Sequence, residues 1–315
     1  MPLDRLAQRM LDMMALSAPA GNGRQTVEQR RDAFDKLMRM AARPVPIGHS
    51  EDRLLKGPGG PLKVRIFDAL PGRGQPAPGL VFFHGGGLVA GSIDTHDAMC
   101  RSLAIASGAV VVSIGYRLAP EAPYPAAIED ANWALRWTAA HAVEMGVDAG
   151  RMAVGGDSAG ATLATVVCAE ARRRGPAIRA QLLLCPVLDM TGMMPSRREF
   201  SKGFLIDATV MAHDLEDYVP AGIDLADPRL SPLFIADPRG LPPAVIHTAE
   251  FDPLRDEGEA YAKRLEEAGV AVQLTRHEGM IHSFYGMDAI FPQAKLALPT
   301  IGTELRKVLG QGHHS

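Results

Sequence analysis

The sequence predicts an α/β fold with a mostly parallel central sheet and helices on both faces. Three observations carry this. Short apolar runs recur along the chain, such as Gly79 to Phe83, Ala109 to Ile114 and Ala244 to Ala249, with helix-like stretches between them. Several of these runs are apolar on both faces, which demands helices on both sides of the sheet they build. The third is Gly156-Asp157-Ser158-Ala159-Gly160, a GxSxG set between strand-like Met152-Ala153-Val154 and a helix-like segment from Ala159 to about Ala171.

Taken in order, residues 1 to about 45 read as two helices. Leu6, Met10, Met13 and Met14 recur at helical spacing in the first, and Val27, Phe34, Leu37 and Met38 in the second. Ala18-Pro19-Ala20-Gly21-Asn22-Gly23 is the break. Two helices ahead of the first strand are an addition to the alternation. Their methionines suit either core packing or an adaptable lid over a pocket. Asp52 to Leu70 reads as a strand or hairpin turning at Gly57-Pro58-Gly59-Gly60-Pro61. Leu62, Val64 and Ile66 alternate with Lys63 and Arg65, the pattern of an edge strand. Gly72 to Pro78 is a loop, and Gly79 to Phe83 a buried strand ending at His84-Gly85-Gly86-Gly87. A helix with Ala98, Leu103, Ala104 and Ala106 leads to the Ala109–Ile114 strand, then a helix from Pro125 to about Val143, then the GxSxG strand and helix. Leu182-Leu183-Leu184-Cys185 is stopped by Pro186. From Asp189 to about Asp227 the rhythm breaks, making this the second candidate for lid material. Strand Ala244–Ala249, helix Asp256–Ala268 with Gly269 after it, last strand Val272-Gln273-Leu274 and a closing helix from about Ala294 to Leu309 complete the chain.

The totals exclude several function classes. A chain of 315 residues, 47% hydrophobic and 22% charged, can bury a sizeable core. A formal net charge of -3 gives no footprint for nucleic acid or a membrane surface. Arg172-Arg173-Arg174 falls at a helix C-terminus, where it complements the dipole and faces water. The N-terminus reads as an amphipathic helix rather than a signal peptide, and no stretch is long and apolar enough to span a bilayer. Cys100, Cys168 and Cys185 lie in apolar segments without metal-ligand spacing. They read as buried hydrophobes in a reducing compartment, hence a cytoplasmic chain. There is no GxGxxG after the first strand and no GxxxxGK[ST]. No metal site is expected. The terminal pair His313-His314 is set aside with the rest of the tail.

The chemistry centres on Ser158. A serine hydroxyl needs a base, and the base needs a carboxylate to hold its tautomer. In the chain order serine, acid, histidine, the acid follows a late strand and the histidine the last one. Asp252, in Glu250-Phe251-Asp252-Pro253-Leu254, and His282, in Gly279-Met280-Ile281-His282, hold those places. Glu250 is a supporting group at a strand end, and Asp256 a first-turn residue of a helix. His277 belongs to the strand, His247 is packed or bonded locally, and His96, His141 and His213 have no matching context. Ala159, Gly86 and Gly87 offer backbone N–H groups for an oxyanion. His84 fixes the glycine loop by hydrogen bonding.

His84-Gly85-Gly86-Gly87, Tyr116-Arg117-Leu118-Ala119-Pro120-Glu121, Gly156-Asp157-Ser158-Ala159-Gly160, Asp252-Pro253-Leu254-Arg255-Asp256-Glu257 and His282-Ser283-Phe284 together resemble the bacterial hormone-sensitive-lipase-like esterases, the family IV carboxylesterases. The resemblance covers nearly the whole chain. It implies an α/β-hydrolase core over 46–189 and 226–315, with a helical cap from 1–45 and 190–225. It also implies hydrolysis of short- to medium-chain acyl esters without a cofactor. Ser158, Asp252 and His282 are the implied triad, and Gly86, Gly87 and Ala159 the oxyanion hole. Tyr116 to Glu121 is an implied brace, and Asp157 marks the subgroup with aspartate in the elbow. The family often forms homodimers through the late sheet. Ala161 and Ser283 stand where glycine is common, and Leu88 where an aromatic is common. The competing functions are a long-chain lipase, a lactonase or an amidase on the same frame, or a non-catalytic small-molecule receptor.

Overall fold

The computed structural model describes residues 1–17 and 24–310. The break expected at Ala18 to Gly23 and the His313-His314 pair lie outside the described residues. The chain builds α1 (Arg5–Ser17), α2 (Val27–Ala41), β1 (His49–Gly57), β2 (Gly60–Asp68), β3 (Ala77–Phe83), α3 (Asp97–Ser107), β4 (Val110–Gly115) and α4 (Ala126–Ala140). It continues with β5 (Val147–Asp157), α5 (Ala159–Arg174), β6 (Ala180–Leu184), α6 (Pro195–Glu199), α7 (Ala208–Tyr218), β7 (Ala244–Phe251), α8 (Arg255–Glu267), β8 (Val272–Ile281) and α9 (Pro292–Gly310).

The strands form one 8-stranded sheet in the order β1-β2-β4-β3-β5-β6-β7-β8. The β1/β2 and β2/β4 pairs are antiparallel, and all others are parallel. Side-chain alternation sorts the apolar runs onto two cores. Val81, Phe83, Val112, Val154 and Ile246 face α4, α5 and α8 through Leu135, Leu163 and Leu265. Leu80, Phe82, Val111, Leu182 and Val245 face α3 and α9 through Leu103, Ile301 and Leu305. Each large side chain so buried contributes about 1.5–3 kcal/mol. Two-sided burial is why the runs lacked polar alternation.

Four expectations are corrected. The strand at Leu62–Ile66 is not the edge, because β1 lies outside it; its polar residues lie against β1's charged ones, as in the Arg65–Asp52 pair. β3 begins at Ala77, inside the expected loop. The last strand runs past His277 to Ile281, so Gly279 to Ile281 belong to it rather than following it. Its first residues are partly exposed at the sheet edge, so mixed polarity hid its length. The helix after β7 opens at Arg255, one residue early.

The helices that interrupt the alternation meet above the sheet's carboxyl edge. α2 is held by a capping box between Thr26 and Gln29. Arg30 of α2 pairs with Asp214 and Asp217 of α7, and Arg24 with Glu216 and Asp217. No helix of the described residues is long and apolar enough to cross a membrane.

Candidate active site

The site collects at the carboxyl ends of parallel strands, where loops of an open α/β sheet converge. Ser158 follows β5 and starts α5 with φ 51° and ψ -122°, a strained turn for a residue bearing a Cβ. Neighbouring glycines make that turn feasible. A Cβ on Gly156 would fall 2.4 Å from Gly160 backbone atoms, and one on Gly160 would fall 2.0 Å from the Phe83 carbonyl oxygen. Backbone, not movable side chains, occupies that space, so both positions demand glycine. The Ser158 N–H donates to Leu184 O at 2.8 Å, which ties the elbow to β6.

Asp252 follows β7 and His282 follows β8. His282 Nδ1 lies 2.8 Å from Asp252 Oδ2, and His282 Nε2 lies 3.0 Å from Ser158 Oγ. All three side chains are buried. Asp252 Oδ1 accepts from Leu254 N at 2.8 Å, so the carboxylate is aimed before the imidazole meets it. The acid, the base and the alcohol form one continuous line, as the chain order required.

The glycine loop after β3 faces the elbow. Gly86 and Gly87 have φ 117° and 66°, conformations that favour glycine. Among the described residues, the backbone N–H groups of Gly86, Gly87 and Ala159 donate to no protein acceptor. Gly86, Gly87, Ala159, Ser158 and His282 all line one cavity of about 600 Å³. Apolar side chains from α2 and α7, among them Phe34, Leu37, Met211 and Leu215, line its other side, and Leu88 lines it beside the glycines.

His84 Nδ1 lies 2.8 Å from Gly85 O, its carbonyl accepts from Tyr116 Oη at 2.7 Å, and its ring stacks on Tyr116 at 4.3 Å. Burial, with His96 nearby, pushes its pKa down to about 3, so the ring is neutral at neutral pH. Asp157 Oδ1 accepts from Gly85 N at 2.9 Å and Oδ2 lies 3.2 Å from His96 Nε2. Burial alone would raise the Asp157 pKa, but His96 and then the other histidines outweigh it and hold the carboxyl below its usual range. Glu250 does not touch the triad. It accepts from Gly279 N at 2.7 Å and from the Met1 ammonium, three residues upstream of His282. Asp256 accepts from Ser196 N at 2.8 Å in the first turn of α8. His247 is locally bonded, 3.0 Å from His277 Nε2 and 2.9 Å from Glu304 Oε2.

Two supporting residues escaped the sequence. His96 had no motif to mark it, yet it backs the elbow aspartate. Arg31 lies in no motif either, yet its guanidinium bonds Val89 O, Ala119 O and the Glu121 carboxylate, joining α2 to the glycine loop and to the Tyr116–Glu121 segment. The three cysteines are free and buried. Among the described residues, the one group of potential metal ligands is Cys185 with Asp252 and His282. Two of its members already serve Ser158, and burial pushes the Cys185 thiol pKa well up, which disfavours the thiolate a metal would need.

Comparisons with known proteins agree with this geometry. A family described as the alpha/beta hydrolase fold matches residues 80–286. The chain is 38% identical over 98% of its length to Esterase LipI of Mycobacterium tuberculosis, covering 95% of that protein. It is 36% identical over 97% of its length to an ethyl acetate hydrolase of Pseudomonas putida, again covering 95%. Among solved structures, an ester-hydrolase from the metagenome of Lake Arreo, complexed with a bipyridine phosphonate derivative, is 37% identical with a TM-score of 0.93, covering 98% of this chain and 100% of that one. With its serine, histidine and aspartate in hydrogen-bonded line below the cavity, the chain belongs to the esterases of the α/β-hydrolase fold.

Proposed function

We propose that the chain is a carboxylesterase for short- to medium-chain acyl esters, with Ser158 as nucleophile, His282 as general base and acid, and Asp252 as its orienting carboxylate. The observation that carries this is the Asp252–His282–Ser158 hydrogen-bond line opening on a cavity edged by unpaired backbone amides. Ser158 Oγ attacks the ester carbonyl as His282 Nε2 takes its proton. The oxyanion that forms is received by the N–H groups of Gly86, Gly87 and Ala159; one such donor is worth about 3 kcal/mol. Collapse expels the alcohol, which leaves with the proton from His282. Water then attacks the acyl-enzyme, giving its proton to His282, and the acid departs as Ser158 recovers its hydrogen. The cycle calls for no cofactor. His84, Asp157 and Glu250 act as braces of the loops and not on substrate.

A cavity of about 600 Å³ lies within the roughly 300–1,000 Å³ of small-molecule sites. A relative named for ethyl acetate supports the short-chain end. Residues 1–45 and 190–225 serve as the cap, with 46–189 and 226–315 as the catalytic core. Three free buried cysteines support a reducing, cytoplasmic setting. The exposed edge of β8 suits a homodimer, which sedimentation would test. No nucleic-acid partner is proposed. Hydrolysis of p-nitrophenyl esters from acetate to palmitate, by wild type and Ser158→Ala, tests the assignment. The expected profile peaks from acetate to octanoate and collapses in the variant. A palmitate maximum would mark a lipase, and equal rates in the two proteins would remove the esterase reading.

A further inference from the structure

The cap side of the cavity carries a polar cluster that the triad does not use. Arg30 of α2 is only 7% exposed and pairs with Asp214 and Asp217 of α7. Those pairs occupy its terminal nitrogens, and its Nε is buried without a hydrogen-bond partner among the described residues. One turn along α7, Tyr218 is 2% exposed and its hydroxyl is buried and unpartnered in the same way. Asp214 gives Oδ1 to Arg30, while its Oδ2 lies so close to Gly87 that a Cβ there would fall 2.2 Å away. Arg30, Asp214, Tyr218 and Gly87 all line the cavity that holds Ser158.

A purely apolar substrate leaves these groups unsatisfied. Most buried polar atoms in folded proteins have partners, so an orphan guanidinium nitrogen and an orphan phenol in two residues of one cavity wall are donors that a small side-chain rotation would offer to an occupant. We propose that Arg30, Asp214 and Tyr218 form a polar subsite that selects esters bearing a hydroxyl group on the limb lying beneath α7, close to the scissile carbonyl.

A hydroxyl suits the set because it both donates and accepts. It donates to Asp214 Oδ2 and, once either side chain rotates toward the cavity, accepts from Arg30 Nε or Tyr218 Oη. An ammonium only donates and a carbonyl only accepts, so each leaves half the cluster unmet. Burial raises the Asp214 pKa to about 7; Arg30 works against this rise and Asp217 adds to it. A donor arriving at Oδ2 relieves the desolvated carboxylate. The contact with Gly87 places the subsite beside the oxyanion loop, so the hydroxyl lies within a few bonds of the reacting carbon. Arg24 bonds Glu216 and Asp217 and braces the two helices without Asp214.

The subsite rests on the esterase reading, and isosteric substrate pairs keep the two separable. Methyl 3-hydroxybutyrate against methyl 3-methylbutyrate places hydroxyl or methyl on the acyl limb. Hydroxyethyl butyrate against propyl butyrate does the same on the alcohol limb. The measurement is the ratio of kcat/KM within each pair, for wild type, Asp214→Leu and Tyr218→Phe. The ratio cancels losses from altered folding or a disturbed triad. In at least one pair it should favour the hydroxyl in wild type and drop roughly tenfold or more in Asp214→Leu, with a smaller drop in Tyr218→Phe. Ratios in both pairs that are the same in all three proteins would overturn the subsite while leaving the esterase intact. Failure of wild type to cleave any of the four esters would instead strike the esterase reading, and the subsite with it.

Discussion

Replacing Asp157 by alanine probes the joint between the nucleophile elbow and the oxyanion loop. Its carboxylate is buried, accepts from Gly85 N at 2.9 Å and meets His96 Nε2 at 3.2 Å. Alanine removes both contacts and leaves the Gly85 amide and His96 Nε2 only their long 3.3 Å bond to each other. A buried polar group left poorly satisfied costs about 1–3 kcal/mol. A domain of this kind holds about 5–15 kcal/mol in all, so the variant should fold with a clearly lowered urea midpoint. The second consequence is kinetic. Gly85 precedes Gly86 directly, and the space for a Gly85 Cβ is filled by Asp157 Oδ2 at 2.5 Å. With the anchor gone, the loop can settle into that space and carry the oxyanion donors off target. Full loss of one donor costs about 10²–10³ in kcat, so a displaced loop should cost roughly 10- to 100-fold. KM should change little, because the apolar wall that binds the chain is untouched. Asp157→Asn keeps the shape and one acceptor and should fall between. Urea titration and p-nitrophenyl butyrate kinetics read both effects. Wild-type kcat and a wild-type midpoint in Asp157→Ala would refute this account of how the loop is held.

Other substitutions test other links. Gly160→Ala places a Cβ 2.0 Å from Phe83 O and 2.5 Å from His84 O, so the elbow must shift; thermal unfolding should show a loss of at least about 1–3 kcal/mol together with lost activity. Asp252→Asn should fold normally yet lose about 10⁴ in kcat through the wrong imidazole tautomer, read by steady-state kinetics. His277 has its pKa lowered to about 4, first by burial and then by His247. Its neutral form is the folded one, so the stability it confers is complete above its unfolded pKa near 6.5 and declines as pH falls toward 4. The loss by pH 4 is about 3 kcal/mol. Urea midpoints of His277→Gln should therefore fall less steeply over that window than those of wild type, and parallel slopes would dismiss the proton linkage.

What could be read from residues alone depended on whether the physics was local. The elbow was legible because a strained serine needs room on both sides, and Gly156 and Gly160 announce it. Asp252 and His282 were legible because chain order after late strands limits the choice. The two-faced apolar runs gave the layers. The edge of the sheet was not legible. Leu62–Ile66 alternates because β1 covers it with charged partners, and antiparallel pairing leaves no mark in one strand. The true length of β8 was hidden by partial exposure at its start. His96 and Arg31 carry no local signal, since their partners lie 61 and 90 residues away. The Arg30–Asp214 pair likewise joins helices from distant segments, and each alone reads as a charged helix face.

The most direct measurement is stoichiometric labelling with diethyl p-nitrophenyl phosphate, followed by intact mass and peptide mapping. The account predicts one phosphoryl adduct per chain, located on Ser158, with hydrolysis lost in proportion to its formation and no adduct in Ser158→Ala. An adduct on another residue, or undiminished hydrolysis by the fully labelled protein, would contradict it.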